Sequence, residues 1–267
     1  MSNLYHTRTF VSFSGKCPLN CKHCYSFEVE NNTGSSKSVS EIVNSMAHKD
    51  FDIIYISQKN ENFFNEIDGI DLCDKLYQKY KKDILIITRS HLSDVAIEKL
   101  ENINDRMKLT GNQLFLSTSI CGGPTAFEVT ERLEVCPTPN QRLENLRRAH
   151  NKNIRTLLTI RPVFPNSVIP IAEVIQLLNK SYHYLDAVVS SGLIATDAIL
   201  RKLELKKQDF SYLPDGDSEY LSDLQDVSLY YFDVKRELQI IEKCCFTHGV
   251  PFFLHSMPAL NHLASLQ

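Results

Sequence analysis

No stretch of the 267-residue sequence approaches the roughly 18 consecutive apolar residues of a membrane span, and the opening MSNLYHTRTF carries no apolar signal segment. Those absences lead to the expectation of a cytoplasmic chain with no membrane partner. A basic excess is missing too: 29 Lys and Arg stand against 32 Asp and Glu, for a formal net charge of −3. No global positive field draws such a chain onto phosphate backbones, which counts against a nucleic-acid partner. Internal repeats and low-complexity tracts are absent as well. What the sequence does hold is 43% hydrophobic residues, with 14 Phe and 11 Tyr, enough to fill the core of one large domain.

Short β-like runs alternate with stretches of helical period. The pattern predicts strands over Thr9–Ser14, Asp52–Ser57, Ile84–Thr88, Leu114–Ser119, Thr156–Arg161 and Leu185–Ser190, and a later one near Pro251–His255. Helices are expected over about Val39–His48, Ile70–Lys81, Asp94–Asn104, Gln141–Asn151, Ile171–Asn179 and Val234–Thr247, the first opened by a capping box at Ser38 and Glu41. Repeated strand-then-helix units require right-handed crossovers and a mainly parallel α/β sheet; six of them suit a partial (β/α)6 barrel. Ligands of such sheets sit at the carboxyl ends of the strands. Two stretches break the rhythm and read as irregular insertions or lids, Gly122–Pro139 and the polar Leu203–Asp226.

Eight cysteines in a chain of this kind suit metal binding or packing better than a disulfide framework. Three of them fall in Gly15-Lys-Cys17-Pro-Leu-Asn-Cys21-Lys-His-Cys24-Tyr25, directly after the first strand. Soft sulfur ligands favour iron–sulfur or zinc. A structural zinc wants four ligands, and no second CxxC or HxxxH pair lies near to supply the fourth. Three thiolates would leave one iron of a cubane open to another ligand. A metal-binding regulatory protein that is not an enzyme is the alternative reading of the same residues.

The C-x3-C-x2-C spacing followed by an aromatic resembles the signature of the radical S-adenosylmethionine (radical SAM) superfamily. The resemblance implies a [4Fe-4S] cluster on Cys17, Cys21 and Cys24, with S-adenosyl-L-methionine chelating the open iron. It further implies reductive cleavage of SAM to a 5′-deoxyadenosyl radical that abstracts hydrogen from an organic substrate, fed by an electron donor such as flavodoxin or ferredoxin. On that reading the radical SAM core spans about residues 8–195, and a C-terminal segment of about 196–267 covers the opening.

The same resemblance implies contacts to SAM. The superfamily's Gly-Gly-Glu stretch after the second strand corresponds here to Ser57-Gln-Lys-Asn60-Glu61, where Asn60 and Glu61 offer oxygens to an ammonium group. Ser117 and Ser119 share one face of the fourth strand, toward the ribose hydroxyls. The stretch Glu134-Val-Cys-Pro-Thr-Pro-Asn-Gln-Arg142-Leu, with the Pro-rich exit of Arg155–Pro165, is similar to the spore photoproduct lyase-like branch. It implies Arg142 as the partner of the SAM carboxylate, with Arg161 as its rival. Gly192 and Leu193 would meet the adenine, and Tyr25 would line the other side.

Of the other cysteines, Cys73 reads as core packing, while Cys136, Cys244 and Cys245 are those that a second cluster would use. Cys121, after the fourth strand, is the candidate to donate hydrogen to a product radical, and His255 lies where a substrate contact is expected. The substrate class stays open: a small molecule or nucleotide is favoured, with a peptide or nucleic acid undergoing modification or repair as the alternative.

Overall fold

The computed structural model describes residues 4–24, 37–46, 50–56, 60–209, 212–213 and 228–266. The six apolar runs expected as strands form β1 (Arg8–Val11), β2 (Ile53–Ile56), β3 (Asp83–Thr88), β4 (Leu114–Ile120), β5 (Arg155–Val163) and β6 (Ala187–Gly192). A small antiparallel sheet follows, from β7 (Ile194–Ala195), β8 (Tyr212–Leu213) and β9 (Tyr230–Phe232), with β9 in the middle. The last strand, β10 (Phe252–Phe253), returns to the main sheet beside β6. The main sheet thus has seven strands in the order β1-β2-β3-β4-β5-β6-β10, and every neighbouring pair is parallel. Its edges β1 and β10 are not paired with each other, so the α/β barrel is partial.

Period-2 alternation sends each strand's side chains to two faces. The convex face carries Ile54, Ile56, Ile84, Ile86, Leu116, Leu158 and Ile160, all buried against the crossover helices. Those helices begin where the sequence supplies caps. Ser38 and Glu41 form the expected box, Ser38 N donating to Glu41 Oε2 at 2.7 Å and Glu41 N to Ser38 Oγ at 3.3 Å. Asn65 accepts from Ile67 N at 3.1 Å and starts the helix Glu66–Tyr80, four residues before its apolar period begins. Gly122–Pro139 is not wholly irregular, because Pro124 at the first helical position opens a short helix, Pro124–Thr130. Gly122, at φ 154°, leads into it; a Cβ there would lie 2.8 Å from that of Ala126. Much of Leu203–Asp226 lies outside the described residues.

The concave face divides along its length. Toward the amino ends of the strands, Ile53, Leu85, Phe115, Leu157 and Ala187 pack against Ala259, Leu260 and Leu263 of the last helix, Ser256–Ala264. Asn261 fastens that helix to the start of the chain, accepting from Tyr5 N at 2.8 Å and donating to Tyr5 O at 3.0 Å. Tyr55 Oη donates to Ser256 Oγ at 3.1 Å. The segment of about 196–267 was expected to cover the barrel opening; its helix Ser256–Ala264 fills the amino end of the concave face, where its apolar residues match the apolar first residues of the strands. Toward the carboxyl ends the same face turns polar, with Ser117, Ser119, Thr159 and Arg161.

Candidate metal-cluster and cofactor site

The cysteine loop leaves β1 at its carboxyl end and is shaped by Gly15 at φ 102° and Asn20 at φ 46°, with Leu19 only 1% exposed as its apolar pin. Backbone bonds from Lys22 N to Thr130 O (2.9 Å) and from Cys24 N to Cys21 O (3.1 Å) tie it to the short helix and to itself. Asn62, which sequence reasoning did not single out, holds the loop's entry: its buried Oδ1 accepts from Phe13 N at 2.7 Å. Asn60 turns its amide nitrogen toward the carbonyls of Phe13 and Gly15, at 3.3 and 3.4 Å. Its side chain braces the loop backbone rather than reaching out to a ligand.

Glu61 is 7% exposed, and its carboxylate accepts from Thr88 Oγ1 (2.6 Å), Phe63 N (3.1 Å) and Arg89 N (2.7 Å). A carboxylate has about four lone-pair sites, so these bonds leave room for one more donor. Burial pushes its pKa up despite those donors. Its backbone N–H donates to Asn60 Oδ1 at 2.8 Å.

Cys17, Cys21 and Cys24 lie in one apolar cluster with Leu19 and a fourth cysteine, Cys136. Burial raises the Cys17 pKa to about 11. A hydrogen bond with Cys136, then burial, pushes the Cys21 thiol up as well. Both effects favour the neutral thiol, so loading this loop requires a metal whose pull on sulfur displaces the proton. Among the described residues, the donors within 4.8 Å of one another, close enough to share a single ion, are Cys21, Glu131 and Cys136. Cys17 and Cys24 are not in that group. Three thiols gathered around Leu19 in one apolar loop are the soft donor set that an iron–sulfur cluster takes, so the residues present fit it.

Behind the loop lies a buried ionic network. Glu131, at the end of the short helix, pairs with Arg89 Nη1 at 2.9 Å and Arg142 Nη1 at 2.9 Å, and Arg142 Nη2 bonds its other oxygen. Burial opposes ionisation of Glu131, but Arg89 and Arg142 outweigh it and hold its carboxyl below the usual range. Arg89 also donates to Ser119 Oγ (3.0 Å) and to Arg161 O (2.9 Å), and both its terminal nitrogens lie 3.7 Å from Cys121 Sγ. His23, inside the loop, has Nε2 3.7 Å from the same sulfur. Burial, then Arg89, drives its pKa down to about 4, so the ring is neutral.

The other residues expected to meet SAM or substrate have these surroundings. Arg142 is fully buried, and its terminal nitrogens are taken by Glu131 and Ser119 O (3.0 Å), so it cannot turn to a SAM carboxylate without stranding Glu131. Cys121 is 3% exposed, beneath the loop against His23 and Arg89, and does not face an open substrate space. Gly192 is small for packing rather than for adenine, since a Cβ there would lie 2.7 Å from Val234 Cγ2. Leu193 is buried in the convex-side core. Ser117 bonds Thr159 across the concave face at 2.8 Å, and Ser119 is occupied by Arg89. Arg161 stays on that face and donates to Leu254 O at 2.7 Å. His255 is exposed near it, its pKa lowered by burial and then by Arg161 and Arg8. Tyr25 and Ser57 lie outside the described residues.

The remaining thiols do not gather. Cys73 and Cys245 are buried in the main core, Cys244 is half-buried with its sulfur 3.6 Å from Asn179 Oδ1, and Cys136 packs on Cys21. The second-cluster grouping of Cys136, Cys244 and Cys245 is therefore not formed.

No protein-family model matches this chain, and no curated protein sequence matches it. Solved structures do. A cysteine-to-serine mutant of spore photoproduct lyase superposes with a TM-score of 0.64 at 10% identity, covering 92% of this chain and 75% of that one. A double mutant of the same enzyme, with bound AdoMet and dinucleoside spore photoproduct, gives 0.60 at 11% identity with the same coverage. A further structure, complexed with dinucleoside spore photoproduct, gives 0.58 at 11% identity over 91% of this chain and 75% of that one. This chain has the fold of those proteins.

Proposed function

We propose that this protein is a radical SAM enzyme that holds a [4Fe-4S] cluster on Cys17, Cys21 and Cys24 and acts on an organic substrate at the carboxyl ends of its parallel strands. The observation that carries the reading is the place of the thiol loop: it follows the first strand of a fold shared with a protein seen with AdoMet bound. The chemistry that cluster and SAM supply when bound is one-electron cleavage of SAM and abstraction of a substrate hydrogen.

The chain's own residues have defined work in this scheme. Glu61 keeps one lone-pair site for the SAM ammonium while three donors fix its orientation. Asn60 and Asn62 set the loop's path. Arg161, not Arg142, takes the SAM carboxylate in this proposal: its guanidinium lies on the concave face and donates to Leu254 O at 2.7 Å. The polar rung Ser117–Thr159 borders the space left for substrate. A flavodoxin- or ferredoxin-type donor in the cytoplasm supplies the electron. A nucleotide-sized substrate is favoured by the dinucleoside in the structural neighbours, and a net charge of −3 disfavours a long duplex.

Anaerobic reconstitution tests this reading. The protein should become brown with about four irons per chain, and dithionite should then release 5′-deoxyadenosine from SAM. A colourless protein that binds one zinc would sink the proposal and favour the non-enzymatic, metal-binding alternative.

A further inference from the structure

We propose, resting on the radical SAM reading, that Arg89 is a positioning residue that locks the cysteine loop onto the sheet, and that its positive charge favours the reduced state of the cluster held there.

The locking role follows from what one guanidinium joins. Arg89 follows β3, its side chain is 15% exposed, and its nitrogens reach Ser119 on β4, the carbonyl of Arg161 on β5 and Glu131 at the end of the short helix. Its own backbone N–H fixes Glu61. The sulfur of Cys121 lies 3.7 Å from Nη1 and Nη2 alike, and His23 of the loop meets that same sulfur. Thr130, one residue before Glu131, accepts the backbone bond from Lys22 between Cys21 and Cys24. The loop is thus held at two points by groups that Arg89 holds in turn. Only a planar fork with five donors spans so many acceptors at once; an ammonium does not.

The electrostatic role follows from the charges nearby. A Glu131 oxygen lies within 4.8 Å of the Cys21 sulfur, so a negative charge faces a cluster ligand. Arg89 and Arg142 offset it, and the second carboxylate, Glu61, hangs on the Arg89 backbone. Adding one electron to a thiolate-bound cluster increases its negative charge. A buried cation close by favours that state, and net charge is among the levers that set iron–sulfur potentials.

The test uses reconstituted full-length protein without SAM, scored by iron content and by the reduced-to-oxidised ratio at one fixed dithionite poise. Arg89→Gln should lower that ratio about tenfold, the size of a one-charge change at about 10 Å in an effective dielectric near 20. Arg89→Lys should hold the ratio near wild type yet load less iron, which separates charge from fork. Glu131→Gln should raise the ratio. A Gln variant that loads iron and keeps the wild-type ratio overturns the proposal, as does a Lys variant that shifts as far as Gln. If Arg89→Gln does not accumulate folded, Glu131→Gln decides, and a ratio that fails to rise overturns it. A wild-type chain that takes up no iron defeats the function reading as well; iron-loaded wild type with unresponsive variants defeats this inference alone.

Discussion

At the amino ends of the strands, the concave face is closed by Ala259, Leu260 and Leu263 on Ile53, Leu85, Phe115 and Leu157; at the carboxyl ends it is faced by thiols, two guanidinium groups and a buried carboxylate. One sheet therefore carries two differently built ends. Apolar packing is tolerant of partners and strong per area buried, and it supplies stability. A buried ionic network contributes little net stability but fails badly when one member is lost, which makes it suited to holding a geometry. The division of labour is that one end keeps the sheet folded while the other keeps four elements in register around the cysteine loop.

The sharpest break in this comparison is Cys21→Ala. Under the proposed function it should abolish iron binding and lower SAM cleavage by more than about 100-fold, beyond the usual cost of losing an outer-sphere partner, while leaving the apo-protein's thermal midpoint nearly unchanged. Iron assay and a melting curve on the same sample check both halves. Next comes Arg142→Met, which removes one of two cations from Glu131. We expect a loss of about 3 kcal/mol in denaturant unfolding together with poorer iron loading, because this end couples stability to site geometry. Leu260→Ala should cost about 2–5 kcal/mol through lost packing and cavity formation, with iron content of the native protein unaltered. If Leu260→Ala impairs loading as much as Arg142→Met does, the two ends are not independent.

The smallest effect concerns Asp52, which accepts from His6 N at 2.7 Å and Thr7 N at 2.8 Å, just before β1. The Thr7 backbone bond leads the causes that hold its carboxyl below its usual value. A depressed carboxylate contributes stability that is present above the unfolded pKa of about 3.9 and is lost as pH falls through the folded value. The stability difference between wild type and Asp52→Asn should therefore be constant near neutrality and shrink below about pH 4. A difference that grows in acid would contradict the assigned bonds.

Much of the scaffold could be read from the sequence because it is written in local terms. Apolar runs, the Ser38 cap and the spacing of Cys17, Cys21 and Cys24 each need only neighbouring residues. The missed parts depend on distant ones. Arg89 meets the Arg161 carbonyl 72 residues away and Glu131 42 residues away, and nothing in its own surroundings announces those partners. One clue was present: a charge at the end of an apolar strand needs a partner, and Arg89 has that position as clearly as Arg161 does. Arg142, expected from the resemblance to meet the SAM carboxylate, is drawn inside by Glu131 at the end of the preceding helix, again a partner its own surroundings do not announce. Pro124 and Pro258 hid two helices, since proline punctuates a sequence as strongly as it opens a helical first turn.

The pairing of Tyr5 with Asn261 joins residues 256 positions apart, and the helix that carries Asn261 is the plug of the concave face. Without that helix, Ile53, Leu85, Phe115 and Leu157 would face water. That half of the core is therefore shared between residues far apart in sequence, and the parallel strands do not close it by themselves.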